Sequence, residues 1–369
     1  MPRIGFAWSP GRTGNTSIRG GFSMSYDQLF DNLGLLAMPP QFQTTVDVGG
    51  LAGSNFLANG GIPPTAQSGT LSQADARALT SAYIPNQKLP QAISWNFGVQ
   101  HVFKQDYTVE VRYMGTRGVY LPIQDRLNAQ NTVTPQTALP LYLNAPSQAT
   151  LDALPNTLSA LTDAYNNGGY FVPSYANAGF QSFIVGFTPR GNSTYHGLAT
   201  QVTRRFSNGL QFVGAYTWSH NIDDSTAEVF STVTTPRRPQ DFQDLRAERS
   251  SSALDHRHRF TYALVYELPF LKNSGWFMKN IVGNWEAAPI YTYETGTLAT
   301  VQSVGDANLN ADSWSDRVFI NPTGAENVGS NVTALTNSSG ETVAYLATNP
   351  NARYIRAGTG QLPNGGRNT

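Results

Sequence analysis

Apolar and polar residues alternate with a period of two in five segments of the chain, the mark of strands with one apolar face. Residues 16–26 give the clearest case: Ile18, Gly20, Phe22, Met24 and Tyr26 take one side, Ser17, Arg19, Gly21, Ser23 and Ser25 the other. In 92–103 the apolar side holds Ile93, Trp95, Phe97, Val99 and Phe103; in 107–115 it holds Tyr107, Val109, Val111 and Tyr113. Segments 210–219 (Leu210, Phe212, Tyr216, Trp218) and 259–268 (Phe260, Tyr262, Leu264, Tyr266, Leu268) follow the same rule. Weaker alternation in 4–9, 194–206 and 283–296 brings the expected number of strands to eight. Pro289 lies inside the last; it cannot donate to a ladder, so a broken or bulged strand is expected there.

The connections alternate between two classes. Residues 10–15, 104–106, 207–209 and 269–282 are the shorter turns, and Asn208-Gly209 is a strong two-residue hairpin signal. Residues 27–90, 116–192, 221–256 and 297–369 are long loops, all at the opposite end of the strands. Loops beyond about 15 residues are uncommon in compact soluble domains. Short periplasmic turns alternating with long external loops are the rule in outer-membrane barrels. Strand length agrees: about 11 residues rising about 3.3 Å each, tilted by about 45°, reach a height of about 25 Å, that of a barrel's apolar band.

A soluble β-rich binding or adhesion module would also alternate, so the polar faces matter. They carry Arg19, Glu110, Arg112, Gln201, Arg205, Arg259 and Glu267 among Gly, Ala, Ser and Thr, a set suited to lining a wet lumen. Aromatic residues near the strand ends (Trp8, Tyr26, Trp95, Phe103, Tyr107, Tyr113, Trp218, Trp285) fit an interfacial girdle.

Composition narrows the choice. Net charge is zero and only 13% of the 369 residues are charged, so the basic surface of a nucleic-acid binder is missing. With 11% aromatics there is ample apolar surface, which argues against disorder. No run approaches the roughly 18 apolar residues of a membrane-spanning helix. The absence of cysteine removes disulfide scaffolds and cysteine-based zinc sites.

Candidate chemistry is sparse. His256 and His258, two apart on a strand, would share a face as metal ligands do, but Asp255, Arg257 and Arg259 beside them favour a solvated rim. Asp223 and Asp224 are adjacent and would point to opposite faces of a strand, so a loop tip is expected and not an acid–base pair. The run 306–312 spaces Asp306, Asn308, Asn310 and Asp312 in the manner of a calcium loop. It has Ala311 and Arg317 where an EF-hand needs Gly and Glu. There is no phosphate-binding glycine loop, nucleophile elbow or zinc-protease motif. No enzyme, cofactor or metal site is expected.

The ordered motifs resemble those of the TonB-dependent outer-membrane receptors, in particular the Oar-like subgroup. They run from Pro2-Arg-Ile-Gly-Phe-Ala-Trp8 and Ile18-Arg-Gly-Gly-Phe22 through Ser94-Trp-Asn-Phe-Gly-Val-Gln100 and Val111-Arg-Tyr-Met-Gly-Thr-Arg-Gly118. Tyr195-His-Gly-Leu198, Arg205-Phe-Ser-Asn-Gly-Leu-Gln-Phe212, Ala215-Tyr-Thr-Trp-Ser219 and Leu245-Arg-Ala-Glu-Arg249 continue the series. It closes on Asp255-His-Arg-His-Arg-Phe260 and Tyr266-Glu-Leu-Pro269. The resemblance implies a bacterial outer-membrane barrel of about 22 strands around a plug, energised through a TonB box. No plug, TonB box or signal peptide is recognised here. The expectation is therefore an all-β antiparallel segment of a larger barrel, an open curved sheet of about eight strands. Its partners would be outer-membrane lipid and a nutrient ligand whose identity the sequence does not specify, with the TonB complex reached only through a preceding N-terminal part.

Overall fold

A computed structural model describes residues 1–28, 72–80, 82–83, 86–104, 106–226, 236, 238–270 and 274–368. Most of the loop at 27–90, part of 221–256, the centre of the turn at 104–106 and residues 271–273 of the turn at 269–282 lie outside the described residues.

The eight expected strands form. They are β1 (Arg3–Trp8), β2 (Thr16–Tyr26), β3 (Gln91–Phe103), β4 (Tyr107–Arg126), β5 (Val185–Ser207), β6 (Leu210–Asp223) and β7 (His258–Glu267). The eighth, β8, comprises Glu286–Ala287 and Ile290–Glu294. Each of β2 to β7 pairs antiparallel with its sequence neighbours, and β1 and β8 stand at the two edges without pairing to each other. The sheet is open. Two short strands flank it at the long-loop end, Ala82–Tyr83 beside β5 and Ser250–Ser251 beside β6.

Local chemistry explains the turns. Asn208 and Gly209 both have positive φ (51° and 74°), the geometry of a type I′ turn, and they join Ser207 to its partner Leu210. In β8 the register runs unbroken across Pro289. Ala263 faces Ile290 and Tyr266 faces Ala287, so the strand is interrupted but not bulged. Pro289 still accepts a hydrogen bond from Leu264 N–H at 3.1 Å; only its missing donor breaks the ladder.

Three strands exceed expectation: β6 runs four residues past 219 to Asp223, and β4 and β5 are longer still. The hairpin β4–β5 runs on to Arg126 and starts at Val185, so the loop expected at 116–192 is confined to 127–184. At about 3.3 Å per residue β5 alone is roughly 75 Å long, more than twice the roughly 30 Å of a bilayer core. Period-two alternation stops above Tyr120 because the hairpin is covered on both sides there. Ile123, Gln124 and Asp125 are consecutive and all buried, as are Gly186, Phe187 and Thr188.

The covering layer is a folded cap, where long loops had been expected. Residues 127–184 and 297–368 build short helices such as Leu158–Asn166 and two small three-stranded sheets. Its apolar centre contains Val133, Leu139, Leu161, Leu309 and Tyr345, with satellites around Val343 and around Ala352 and Ile355. A seam of buried arginines ties it to the strands. Arg238 pairs with Asp312 and also donates to Gln124 Oε1 (3.2 Å). Arg317 meets Glu248 at 2.5 Å, and Arg367 pairs with Asp223 while donating to the Glu248 carbonyl at 3.1 Å.

Candidate functional site

The register assigns every regular strand position to one of two faces. One row across the sheet reads Ile18, Val99, Val111, Thr200, Tyr216, Phe260 and Tyr293; the next reads Gly20, Phe97, Tyr113, Leu198, Trp218 and His258. Phe22 and Trp95 continue that face on one side, Phe212 with Leu264, and Tyr262, on the other. Aromatic rings lie over glycines here. A Cβ on Gly115 would meet the Trp95 ring at 2.2 Å, so the glycine leaves the room that the indole fills.

This apolar face is uncovered. Phe97 is 50% exposed, Leu198 43% and Tyr216 41%, whereas the buried apolar residues among those described belong to the cap, to the strand extensions beneath it or, in the case of Phe242, to the connection between β6 and β7. A water-soluble sheet would cover such a face, because contiguous exposed apolar patches of this extent are costly in water. The soluble-module alternative is thus left without a core for its sheet. No described helix is long and apolar enough to cross a membrane.

The opposite face is polar. Arg19, Gly98, Arg112, Ala199, Thr217, Arg259 and Glu294 form one row; Ser17, Gln100, Glu110, Gln201, Ala215, Thr261 and Thr292 form the next. Arg112 Nε meets Glu110 at 3.2 Å, Arg259 lies 3.8 Å from Glu294, and Gln201 donates to Thr203 Oγ1 at 3.1 Å. Glu267 ends β7 opposite Glu286. Arg205 is the exception among the expected wall residues. The register to β6 slips by one between Arg204 and Ser207, so Arg205 sits in a bulge on that side, while its N–H still donates to the Asp106 carbonyl at 2.8 Å.

Several side chains were not legible as a group. Tyr113 bonds His196 Nδ1 at 2.7 Å and Tyr216 bonds His258 Nδ1 at 2.8 Å, two like pairs on the apolar face toward the long-loop end. At the turn end Arg204 stacks 5.4 Å from the Tyr107 ring on the same face. Such polar-tipped aromatics suit a membrane interface.

The remaining candidates are occupied structurally. His256 contacts the Thr295 carbonyl and His258 the Tyr216 hydroxyl, so the two do not converge. Asp223 and Asp224 are buried and not at a loop tip: the first takes Arg367, the second Arg249 and the Asn192 N–H. In the run 306–312, Asp306 accepts from the Asn310 and Ala311 N–H groups and Asp312 takes Arg238. Asp316, nearby, has its carboxyl pushed up to about 8, first by burial and further by the charge of Asp306.

No curated protein matches the chain. Among solved structures it is similar to the outer membrane transporter YddB of Escherichia coli (TM-score 0.40, 7% identity), covering 92% of this chain and 31% of that one. A second is the alcaligin outer membrane receptor FauA of Bordetella pertussis (TM-score 0.31, 11% identity), covering 80% of this chain and 29% of that one. The chain therefore spans less than a third of the length of either. A family model described as an outer membrane beta barrel domain matches residues 1–369. The chain belongs to this outer membrane β-barrel domain family, which places it in the bacterial outer membrane.

Proposed function

We propose that the chain is a run of wall from a TonB-dependent importer of the Oar-like kind, which captures a nutrient at its external loops and admits it along the polar face. The two-sidedness of the sheet carries this reading: one face suits lipid, and the other offers charges and amides to water. On this reading Arg19, Glu110, Arg112, Gln201, Arg259 and Glu267 line the lumen, and Arg205 stands at its periplasmic margin. The outer edges of β1 and β8 pair with further strands of a larger barrel, because an unpaired ladder does not persist in a bilayer. Specificity resides in the connections expected at 27–90 and 116–192, the second now folded over 127–184 into the cap, since external segments vary on a rigid scaffold. The TonB complex acts through a part N-terminal to this stretch.

The test compares growth of cells with and without the gene, and with and without TonB, on a panel of scarce single nutrients. Loss of either should produce the same, non-additive defect on one nutrient. A defect on gene loss that TonB loss does not reproduce rejects energy coupling. No defect on any nutrient rejects import.

A further inference from the structure

We propose that Arg19 and Arg112 form an oxyanion-binding notch in the polar wall, so that the solutes the wall favours carry carboxylate or phosphate groups. This rests on the reading that the polar face lines a water-filled passage. The register sets Arg19, Gly98 and Arg112 directly abreast on β2, β3 and β4. With strands about 4.8 Å apart, the two arginines are separated by roughly 10 Å across a position that has no side chain. A notch of about 100 Å³ results, lined also by Ser17, Asn96, Gln100 and Glu110. That is room for an oxyanion and a few waters, given about 30 Å³ per water.

Both guanidiniums have donors to spare. Each carries five N–H groups, and the described contacts engage only Nε of each. Arg19 Nε donates to Ser17 Oγ at 2.9 Å, and Arg112 Nε meets Glu110 Oε1. Arg112 is 47% exposed at the side chain, so its outward fork faces the space above the wall. A planar fork matches a carboxylate or phosphate bidentately, which a lysine could not do. Asn96 and Gln100 add neutral amide donors on either side of Gly98, and Glu110 holds one arginine in place without neutralising both. Arg259 lies further along the same row, offering a second cationic position at 64% exposure.

The test uses the full-length protein purified from outer membranes, with equilibrium dialysis as the readout. Three solutes of one size serve as probes: gluconate, glucose and glucosamine. Gluconate should bind more tightly than glucosamine by about tenfold, the lower end of what charge focusing in a lined cleft supplies. Arg19→Gln with Arg112→Gln should bring that ratio close to one while leaving glucose binding unchanged. Gly98→Val provides an independent check that keeps both charges and fills the notch; a Cβ there meets the Arg112 Cβ at 3.4 Å, an ordinary contact. Heat-modifiable gel mobility confirms that each variant is folded. Equal binding of the three solutes, no binding of gluconate, or a preference that both variants retain overturns the notch, while the import reading stands or falls separately on the growth test above.

Discussion

Placing an arginine at Phe97 tests the assignment of faces directly. Phe97 is the middle residue of the 13-residue β3, on the apolar face and half exposed. At about 3.3 Å per residue it stands roughly 20 Å from either strand end, or roughly 14 Å in height under a tilt of about 45°. That is the bilayer midplane, where an arginine on a barrel's lipid side costs about 2–4 kcal/mol. Phe97→Arg should therefore lower the folding equilibrium in phospholipid bilayers by roughly 30- to 1000-fold. Its sequence neighbour Asn96 lies at the same depth on the opposite face, paired with Met114 and Gly21. Asn96→Arg should change stability by no more than about 0.5 kcal/mol, as surface substitutions do. Urea titration of the bilayer-inserted protein, followed by heat-modifiable gel mobility, measures both. Equal destabilisation by the two variants, or the larger effect at Asn96, would refute the reasoning.

Three further outcomes are expected. Arg367 is 1% exposed and pairs with Asp223, so Arg367→Ala strands that buried carboxylate while Glu248 keeps Arg317; the cap should lose about 3–5 kcal/mol and become protease-sensitive near 297–368. Pro289→Val restores a donor opposite Leu264 and should stabilise the β7–β8 pair by about 0.5–1.5 kcal/mol, read as slower amide exchange at Leu264; an unchanged rate would count against the hydrogen-bonded register there. Asp316, raised from 3.8 to about 8 chiefly by burial, binds its proton more tightly in the folded cap than in the unfolded chain. Its stabilising contribution is complete below about pH 4 and is lost as pH rises through about 8, so amide protection around 303–316 should weaken over that range and Asp316→Asn should flatten the dependence.

The wall was legible in the sequence because its two sides meet different solvents. Each alternation from Ile18 to Tyr26 or from Phe260 to Leu268 reports one strand's faces without reference to anything distant, and the Asn208-Gly209 turn is equally local. The cap was not legible for the opposite reason. Its core joins Val133 and Leu161 to Leu309 and Tyr345, residues far apart in the chain whose periodicity is too short to detect. The buried arginines were hidden in the same way: Arg317 finds Glu248 and Arg367 finds Asp223 across long sequence separations, and each reads locally as one more polar loop residue. Asp223 and Asp224 were misplaced at a loop tip because their partners could not be seen. Arg205 followed Arg204 in a regular count, and only the register reveals the bulge that it enters on the β6 side.

The junction between wall and cap is marked by the backbone itself. From Tyr107 to Val119 the β4–β5 register is constant, and apolar residues face outward. Tyr120 then stands as an unpaired extra residue on β4 with φ of 58°, and Pro189 and Arg190 supply the compensating extra on β5 before Ile123 and Thr188 resume the original pairing. Two opposed bulges leave the long-range register intact while bending the hairpin and re-aiming its side chains. Beyond them the rules change: apolar side chains on opposite faces, such as Ile123 and Phe187, are both buried, and a carboxylate, Asp125, is buried against Arg190. One continuous hairpin thus obeys the packing logic of lipid below the bulges and of water above them. On the proposed reading the external membrane boundary falls near Val119 and Asn192, the last pair of the constant register and two residues beyond the polar Arg117–Thr194 pair.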